Sequence, residues 1–180
     1  MKQPALVVVC GPPCAGKSAI AGRLATRLGV AHLEMDAIRI RLIHDSKHEE
    51  AHRDIAYRAM HDSAELLLKA QKVVVIDATY TRALQRRELK NLADRLGANV
   101  YLIQCSTGPE TAVARLQARP PGTHAAADLT PESIRTAASS YSYADGALLL
   151  RTDDRTLEDC LVSAQCYLDC EPFCRWSWVG

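Results

Sequence analysis

The segment Gly11-Pro12-Pro13-Cys14-Ala15-Gly16-Lys17-Ser18 constrains this chain more than any other stretch. It fits the pattern G-x-x-x-x-G-K-[ST], in which successive backbone amides surround phosphate groups. Gly11 and Gly16 permit backbone conformations that a Cβ atom would hinder. An apolar run at 6–9 precedes the segment, and apolar residues at helical spacing follow it. We therefore predict a strand, a phosphate-binding loop (the P-loop, 11–18) and a helix, in that order.

The chemistry of such a loop assigns roles to its residues. Lys17 is predicted to reach the β- and γ-phosphates of a nucleoside triphosphate, and the Ser18 hydroxyl to ligate Mg²⁺. The N-terminus of the following helix adds partial positive charge. We predict ATP and Mg²⁺ as cofactors, and the predicted nucleotide-binding residues of this segment are Gly11, Pro12, Pro13, Cys14, Ala15, Gly16, Lys17, Ser18 and Ala19.

Composition bounds the class of protein. A chain of 180 residues suits one domain, and its 48% hydrophobic content argues against disorder, so we predict a single domain over 1–180. The net charge of +1 does not indicate a general affinity for nucleic acid. No apolar run approaches the ~20 residues of a membrane span, so we expect no membrane association and a cytoplasmic location. Seven cysteines, an odd number, exclude a complete set of internal disulfides.

Strand-like and helix-like patterns alternate along the chain. The predicted strands are 6–9, 30–35, 73–76, 100–103 and 147–150, and the principal helices 37–43, 49–69, 83–96, 109–118, one from 131 and 156–168. This alternation predicts a three-layer α/β fold, with a five-stranded, mostly parallel sheet and helices on both faces. The proline- and alanine-rich stretch 119–129 predicts a mobile loop within a lid of about 115–131.

Two carboxylates are predicted at strand ends, where ligands of such sheets bind. Asp36 can orient or deprotonate an acceptor hydroxyl beside the γ-phosphate, although it can also simply cap the next helix. Arg39 lies one turn later on the same face and can hold an acceptor phosphate or carboxylate bidentately. Asp77 can act on Mg²⁺ through a water molecule, or only cap the next turn.

Further basic residues recur at helical spacing. Arg115 and Arg119 lie four apart before the predicted mobile loop, where cations can close over a triphosphate; a solvated helix face explains the spacing equally well. Arg82, Arg86 and Lys90 can track a polynucleotide backbone or form a solvated basic face.

The motifs together resemble a known family. The P-loop, Asp36-x-x-Arg39, Asp77-Ala78-Thr79 and Arg115-x-x-x-Arg119 are similar to those of small P-loop kinases in the AAA-type ATPase group. The resemblance is strongest to the kinase domains of polynucleotide 5′-hydroxyl kinases, and it covers about 5–155. It implies the P-loop kinase fold.

The resemblance also implies residue roles. Asp36 corresponds to the general base, Arg39 to the contact with the phosphate beside the acceptor hydroxyl, and Arg115 and Arg119 to contacts with ATP phosphates. The chain departs from the family at Ala19, where many relatives carry a second hydroxyl residue, and in its cysteine- and tryptophan-containing tail.

Three functions follow from these observations. The leading one is an ATP-dependent phosphotransferase acting on an acceptor hydroxyl, and the resemblance favours a polynucleotide 5′ end. The neutral net charge instead favours a small metabolite or antibiotic as acceptor. The third is a regulatory, nucleotide-binding ATPase without an acceptor; Asp36 and Arg39 argue against it, because a switch needs no acceptor base. No N-K-x-D motif for guanine is present.

Overall fold

The structure is a computed structural model that describes residues 4–43, 49–119, 129–170 and Ser177. Its strands are β1 (Ala5–Cys10), β2 (Ala31–Glu34), β3 (Val73–Asp77), β4 (Asn99–Ser106) and β5 (Leu148–Arg151). They form one sheet in the order β2-β3-β1-β4-β5, and every pair of neighbours is parallel. The predicted three-layer α/β fold with a five-stranded parallel sheet is confirmed.

The described residues form seven helices. They are α1 (Lys17–Leu28), α2 (Met35–Ile43), α3 (Glu50–Lys69), α4 (Ala83–Leu96), α5 (Pro109–Gln117), α6 (Pro131–Ser140) and α7 (Leu157–Asp169). Gly29 and Gly97 end α1 and α4 in the left-handed conformation, which glycine adopts without a steric penalty. Thr130 and Thr156 cap α6 and α7 by accepting backbone N–H bonds. None of these helices is long and apolar enough to cross a membrane.

Two apolar layers hold the helices against the sheet. Val7 and Val9 of β1 belong to a core shared with α1 and α7, whereas Leu6 and Val8 belong to one shared with α3 and α4. A strand buried on both faces needs apolar side chains at every position, which is why 6–9 is a continuous apolar run.

The predicted bounds differ from the observed ones in all five strands, and the differences in the second and fourth strands have a structural cause. The second strand ends at Glu34, and α2 begins at Met35, so Asp36 lies in the first turn of a helix and not directly after a strand. The cause is Met35, which is buried in the core shared with α3. The fourth strand extends to Ser106 because residues 103–106 pair with β5, and buried Gln104 exchanges two hydrogen bonds with the backbone of Ala144.

Some predictions lie partly outside the described residues. The predicted mobile loop falls largely on 120–128, and the cysteine- and tryptophan-containing tail on 171–176 and 178–180, which the structure does not describe. The six described cysteines are all free thiols, in line with the odd cysteine count.

Candidate active site

A cleft of about 460 Å³ opens at the carboxyl ends of the central strands. The P-loop, the start of α2, α3 and the segment after β3 line it, together with Arg119 and Leu129. This is the edge of the sheet where the order of the strands reverses, the expected ligand site of an open parallel sheet. The cleft contains most of the predicted site residues, among them Lys17, Ser18, Asp36 and Asp77.

The P-loop has the backbone shape that its glycines predict. Gly11 has a φ of +143°, and a Cβ there would lie 2.2 Å from the carbonyl oxygen of Cys105, so no larger residue fits against β4. Gly16, with a φ of +83°, precedes the first turn of α1. Lys17 Nζ donates to the carbonyl oxygen of Pro12 at 2.8 Å, which folds the lysine back over the loop.

Arg115 braces the P-loop from the side of β5. Its guanidinium donates to the carbonyl oxygen of Cys14 at 3.2 Å, and to Oγ1 and the carbonyl oxygen of Thr152 at 2.9 and 2.5 Å. Thr152 Oγ1 in turn donates toward the carbonyl oxygen of Ala15 at 3.1 Å. Arg119, one turn further, lines the cleft instead. The predicted pair therefore divides, with one arginine holding the loop and the other facing the ligand space.

Three carboxylates lie near Ser18, and the sequence analysis missed one of them. Glu34, the last residue of β2, joins Asp36 and Asp77 in the cleft. Burial, followed by the charge of Asp77, raises the pKa of Glu34. Burial also raises the pKa of Asp77, while Lys17 and a hydrogen bond from Ser18 act against this rise. The end of the second strand could have identified Glu34, because ligands bind at strand ends. The predicted strand continued one residue too far, to 35, and so placed Glu34 inside the strand.

The residues around Ser18 fit a bound Mg²⁺. Asp77 is 2% exposed, and its Oδ2 atom has no hydrogen-bond partner among the described residues, so a buried oxygen ligand is available. Mg²⁺ binds oxygen ligands, keeps several waters and shares its remaining positions with substrate phosphates. The Ser18 hydroxyl would hold the ion directly, and Asp77 and Glu34 would hold its waters.

Asp36 and Arg39 form the predicted pair, but the arginine is hidden. Arg39 Nε lies 3.6 Å from Asp36 Oδ1, and Arg39 is 0% exposed. This burial differs from the predicted contact with an acceptor anion and makes Arg39 a support behind Asp36. Asp36 is the second residue of α2, past the capping position, so the helix-cap alternative does not fit.

Thr79 anchors the segment after β3 to two helices and a distant loop. Its Oγ1 accepts a hydrogen bond from Arg53 Nη2 at 3.0 Å and lies 3.2 Å from the hydroxyl of Tyr57. Its carbonyl oxygen accepts a bond from the Tyr141 hydroxyl at 2.6 Å. The next amide, that of Tyr80, donates to the Tyr57 hydroxyl at 2.9 Å. The sequence analysis singled out Thr79 but none of these partners.

The predicted basic stripe of α4 is not a free surface. Arg86 is buried and donates to the carbonyl oxygens of Tyr80 and Ser142 at 2.7 and 3.3 Å. Arg82 and Lys90 form ion pairs with carboxylates of the chain. Neither of the two alternatives, a polynucleotide track or a solvated basic face, therefore describes Arg86.

Comparisons with known proteins agree with this geometry. A family model for an AAA domain matches residues 6–157, and no curated protein sequence matches the chain. The Mycobacterium tuberculosis APS kinase CysC, in complex with AMPPNP and APS, aligns with a TM-score of 0.72 and 20% identity over 94% of this chain and 100% of that one. A gluconokinase from Sinorhizobium meliloti 1021 aligns with a TM-score of 0.70 and 18% identity over 93% of each chain.

A chain of the Pnkp1/Rnl/Hen1 RNA repair complex is also similar, with a TM-score of 0.64 and 20% identity over 77% of this chain and 44% of that one. At these identities the three structures define the shared fold, which is that of the P-loop kinases.

Proposed function

We propose, on the premise that the chain belongs to the AAA domain family and has the P-loop kinase fold, that it transfers the γ-phosphate of ATP to an acceptor hydroxyl. One observation carries the proposal. Asp36, backed by buried Arg39, lines the same cleft as Lys17 of the P-loop. In this position the carboxylate can orient and deprotonate an acceptor hydroxyl beside the phosphate site, which is the role of the catalytic aspartate in a kinase.

The P-loop side of the cleft serves the nucleotide. Lys17 and Arg119 neutralise charge that develops on the phosphates during transfer, and Arg115 acts as a positioning residue by fixing the loop backbone. Mg²⁺ at Ser18 supplies further positive charge to the β- and γ-phosphate oxygens when it is bound.

The chemical step uses Asp36 as the general base. As the acceptor oxygen attacks the γ-phosphorus, its proton passes to Asp36 Oδ, the bond from the γ-phosphorus to the bridging oxygen breaks, and ADP leaves. Arg39 acts as a positioning residue, with its Nε 3.6 Å from Oδ1 of this carboxylate.

The geometry favours a small acceptor, or only the terminal unit of a longer one. Because Arg86 is buried and Arg82 is paired with Glu50 and Asp54, the row Arg82, Arg86 and Lys90 does not form a continuous basic stripe for a polynucleotide beyond the cleft. The acceptor is therefore recognised inside the cleft itself.

Asp36→Asn tests the proposal. The variant keeps the shape of the side chain and removes its negative charge. Transfer of label from radioactive ATP, screened over 5′-hydroxyl oligonucleotides, sugars, sugar acids and aminoalcohols, should fall by roughly 10²–10⁴-fold, the usual worth of general acid–base catalysis. ATP affinity should stay unchanged, because Lys17, Ser18 and the loop amides are intact.

Asp94→Asn is the matched control, since this exposed carboxylate pairs with Lys90 away from the cleft. Its transfer rate should equal that of the wild type. Full transfer activity in Asp36→Asn, or ATP hydrolysis by the wild type with transfer to none of these acceptors, would reject the phosphotransferase in favour of the regulatory ATPase.

A further inference from the structure

One arginine of the cleft has no place in the chemistry described so far. Arg53, on α3, is half-buried and lines the cleft together with Asp36 and Thr79. Toward the part of the chain that the structure describes, its guanidinium donates one hydrogen bond, to the neutral hydroxyl of Thr79 at 3.0 Å. A guanidinium carries five N–H donors, so most of its capacity is unused.

The charge of Arg53 is not balanced by the part of the chain that the structure describes. No carboxylate in that part lies within ion-pair distance of Arg53, whereas Arg82 pairs with Glu50 and Asp54 at 3.0 and 2.7 Å. A partly desolvated cation without a counter-ion is costly for the fold, and a bound anion would offset that cost.

Arg53 and Asp36 line the same cleft, and the charges of both act on the hydroxyl of Tyr57. The Tyr57 hydroxyl contacts Thr79, and burial raises the pKa of Tyr57, while the charge of Arg53 lowers it and that of Asp36 raises it. Both charged groups therefore face the same small region of the cleft, which the walls α2 and α3 enclose. A ligand that bridges them carries a hydroxyl for Asp36 and an anion for Arg53.

We infer that Arg53 binds an anionic group of the acceptor, and that the acceptor is an alcohol with a phosphate, sulfate or carboxylate close to its reactive hydroxyl. The inference rests on the proposed function for the identity of Asp36 as the base. It transfers to Arg53 the role that the sequence predicted for Arg39, which is 0% exposed. A planar guanidinium suits this task because it binds such anions through two parallel hydrogen bonds.

The test measures binding to the full chain loaded with AMPPNP and Mg²⁺, so that the phosphate site of the P-loop is already filled. The probes are three pairs, each an anionic alcohol and a neutral counterpart: thymidine 3′-monophosphate and thymidine, gluconate and glucitol, and galactose 3-sulfate and galactose. Calorimetry should show that the wild type binds at least one anionic member more tightly than its neutral counterpart.

Arg53→Met should lower the affinity for that anionic probe by about 10–100-fold, which corresponds to the loss of a charge-assisted hydrogen bond, and should leave AMPPNP binding unchanged. Arg53→Lys should restore part of the affinity. Arg58→Met is the matched control, because Arg58 is exposed on the same helix, and it should bind the probe like the wild type. Thermal melting of each variant establishes that it is folded.

Anionic probes that bind Arg53→Met as tightly as the wild type would overturn the inference, as would equal binding of anionic and neutral members or binding of neither. Its failure is distinguishable from failure of the proposed function. Arg53-dependent binding without phosphoryl transfer would reject the kinase and leave the anion site standing. If Arg53→Met and the wild type transferred phosphate to a neutral alcohol with the same kcat/KM, the kinase would stand and the anion site would be rejected.

Discussion

The two sides of the cleft are built in different ways. The P-loop side comes from eight consecutive residues, and its shape depends on backbone conformation at Gly11 and Gly16. The acceptor side is assembled from α2, α3 and the segment after β3, and it depends on side chains that meet from distant parts of the chain. A local motif can be moved between proteins intact, whereas an assembled wall changes with every helix that contributes to it. The nucleotide side is therefore shared within a fold family, and the acceptor side can differ from member to member.

The supports of the two sides also differ. Arg115 and Thr152 hold carbonyl oxygens of the P-loop from outside the cleft. On the other side, Thr79 is held by Tyr57 and Tyr141 within the core. Substitutions of P-loop residues themselves should therefore act mainly on catalysis, whereas those on the acceptor side should act on both substrate choice and stability.

Lys17→Ala should produce the largest effect. Removing the cation nearest the β- and γ-phosphates should lower phosphoryl transfer on the order of 10³–10⁵-fold, the range for a group that neutralises charge on a transferring phosphoryl group. The fold should survive, because within the described residues the Lys17 side chain makes a single hydrogen bond, to the carbonyl oxygen of Pro12. Transfer assays and thermal melting check both statements, with exposed Lys69→Ala as the control. Normal turnover in Lys17→Ala would refute the assignment of the nucleotide side.

Arg119→Ala and Arg115→Ala should have different effects, because Arg115 lies within α5 and holds the P-loop, whereas Arg119 follows α5 and lines the cleft. Arg119→Ala should lower kcat by roughly 10²–10³-fold with little change in ATP affinity, because its charge matters most in the transition state. Arg115→Ala should raise the KM for ATP and lower the free energy of unfolding by about 2 kcal/mol, because it releases the bonds to Cys14 and Thr152.

Steady-state kinetics and urea unfolding of the two variants decide between these patterns. The same loss of kcat with the same stability in both variants would show that the arginines act as one unit on the phosphates, as the sequence alone suggested. A normal kcat in Arg119→Ala would make it part of a solvated face.

Prediction from sequence succeeded where the signal is local. The P-loop has a fixed spacing, and α4 was predicted from Ala83 to Leu96 because its apolar periodicity stops at Gly97, as the structure shows. It succeeded less well at the second strand, which was predicted to continue to 35 but ends at Glu34. Met35 is buried in the core at the start of α2, and Glu34 lines the cleft.

The missed residues depend on contacts between distant parts of the chain. Thr152 reaches Ala15 across 137 residues, and no periodicity in either segment indicates this. Arg53 lies on α3 among other polar residues, and its helical spacing does not show that it faces a cleft. Arg115 and Arg119 illustrate the same limit, because helical spacing places two side chains on one face but does not say what packs against each.

The smallest predicted effect is a loss of stability at acidic pH that arises from His61 on the acceptor side. Behind Thr79, buried His61 lies 2.9 Å from the hydroxyl of Tyr80, and burial lowers the pKa of His61 to about 4, against a smaller opposite effect of Asp62. Its unfolded value is about 6.5. Above pH 6.5 the imidazole is neutral in both states, so its contribution to stability is complete. Between pH 6.5 and 4 the unfolded state binds the proton first, and stability falls by a total of about 3 kcal/mol.

Urea unfolding from pH 7 to 4 should therefore show a steeper loss of stability in the wild type than in His61→Phe, in which no group titrates at this position. The slope is the readout, because the variant also loses the bond to Tyr80, which shifts its stability at every pH. Identical slopes for the wild type and His61→Phe would contradict the prediction. They would mean that His61 does not cause the loss of the protein's stability in acid.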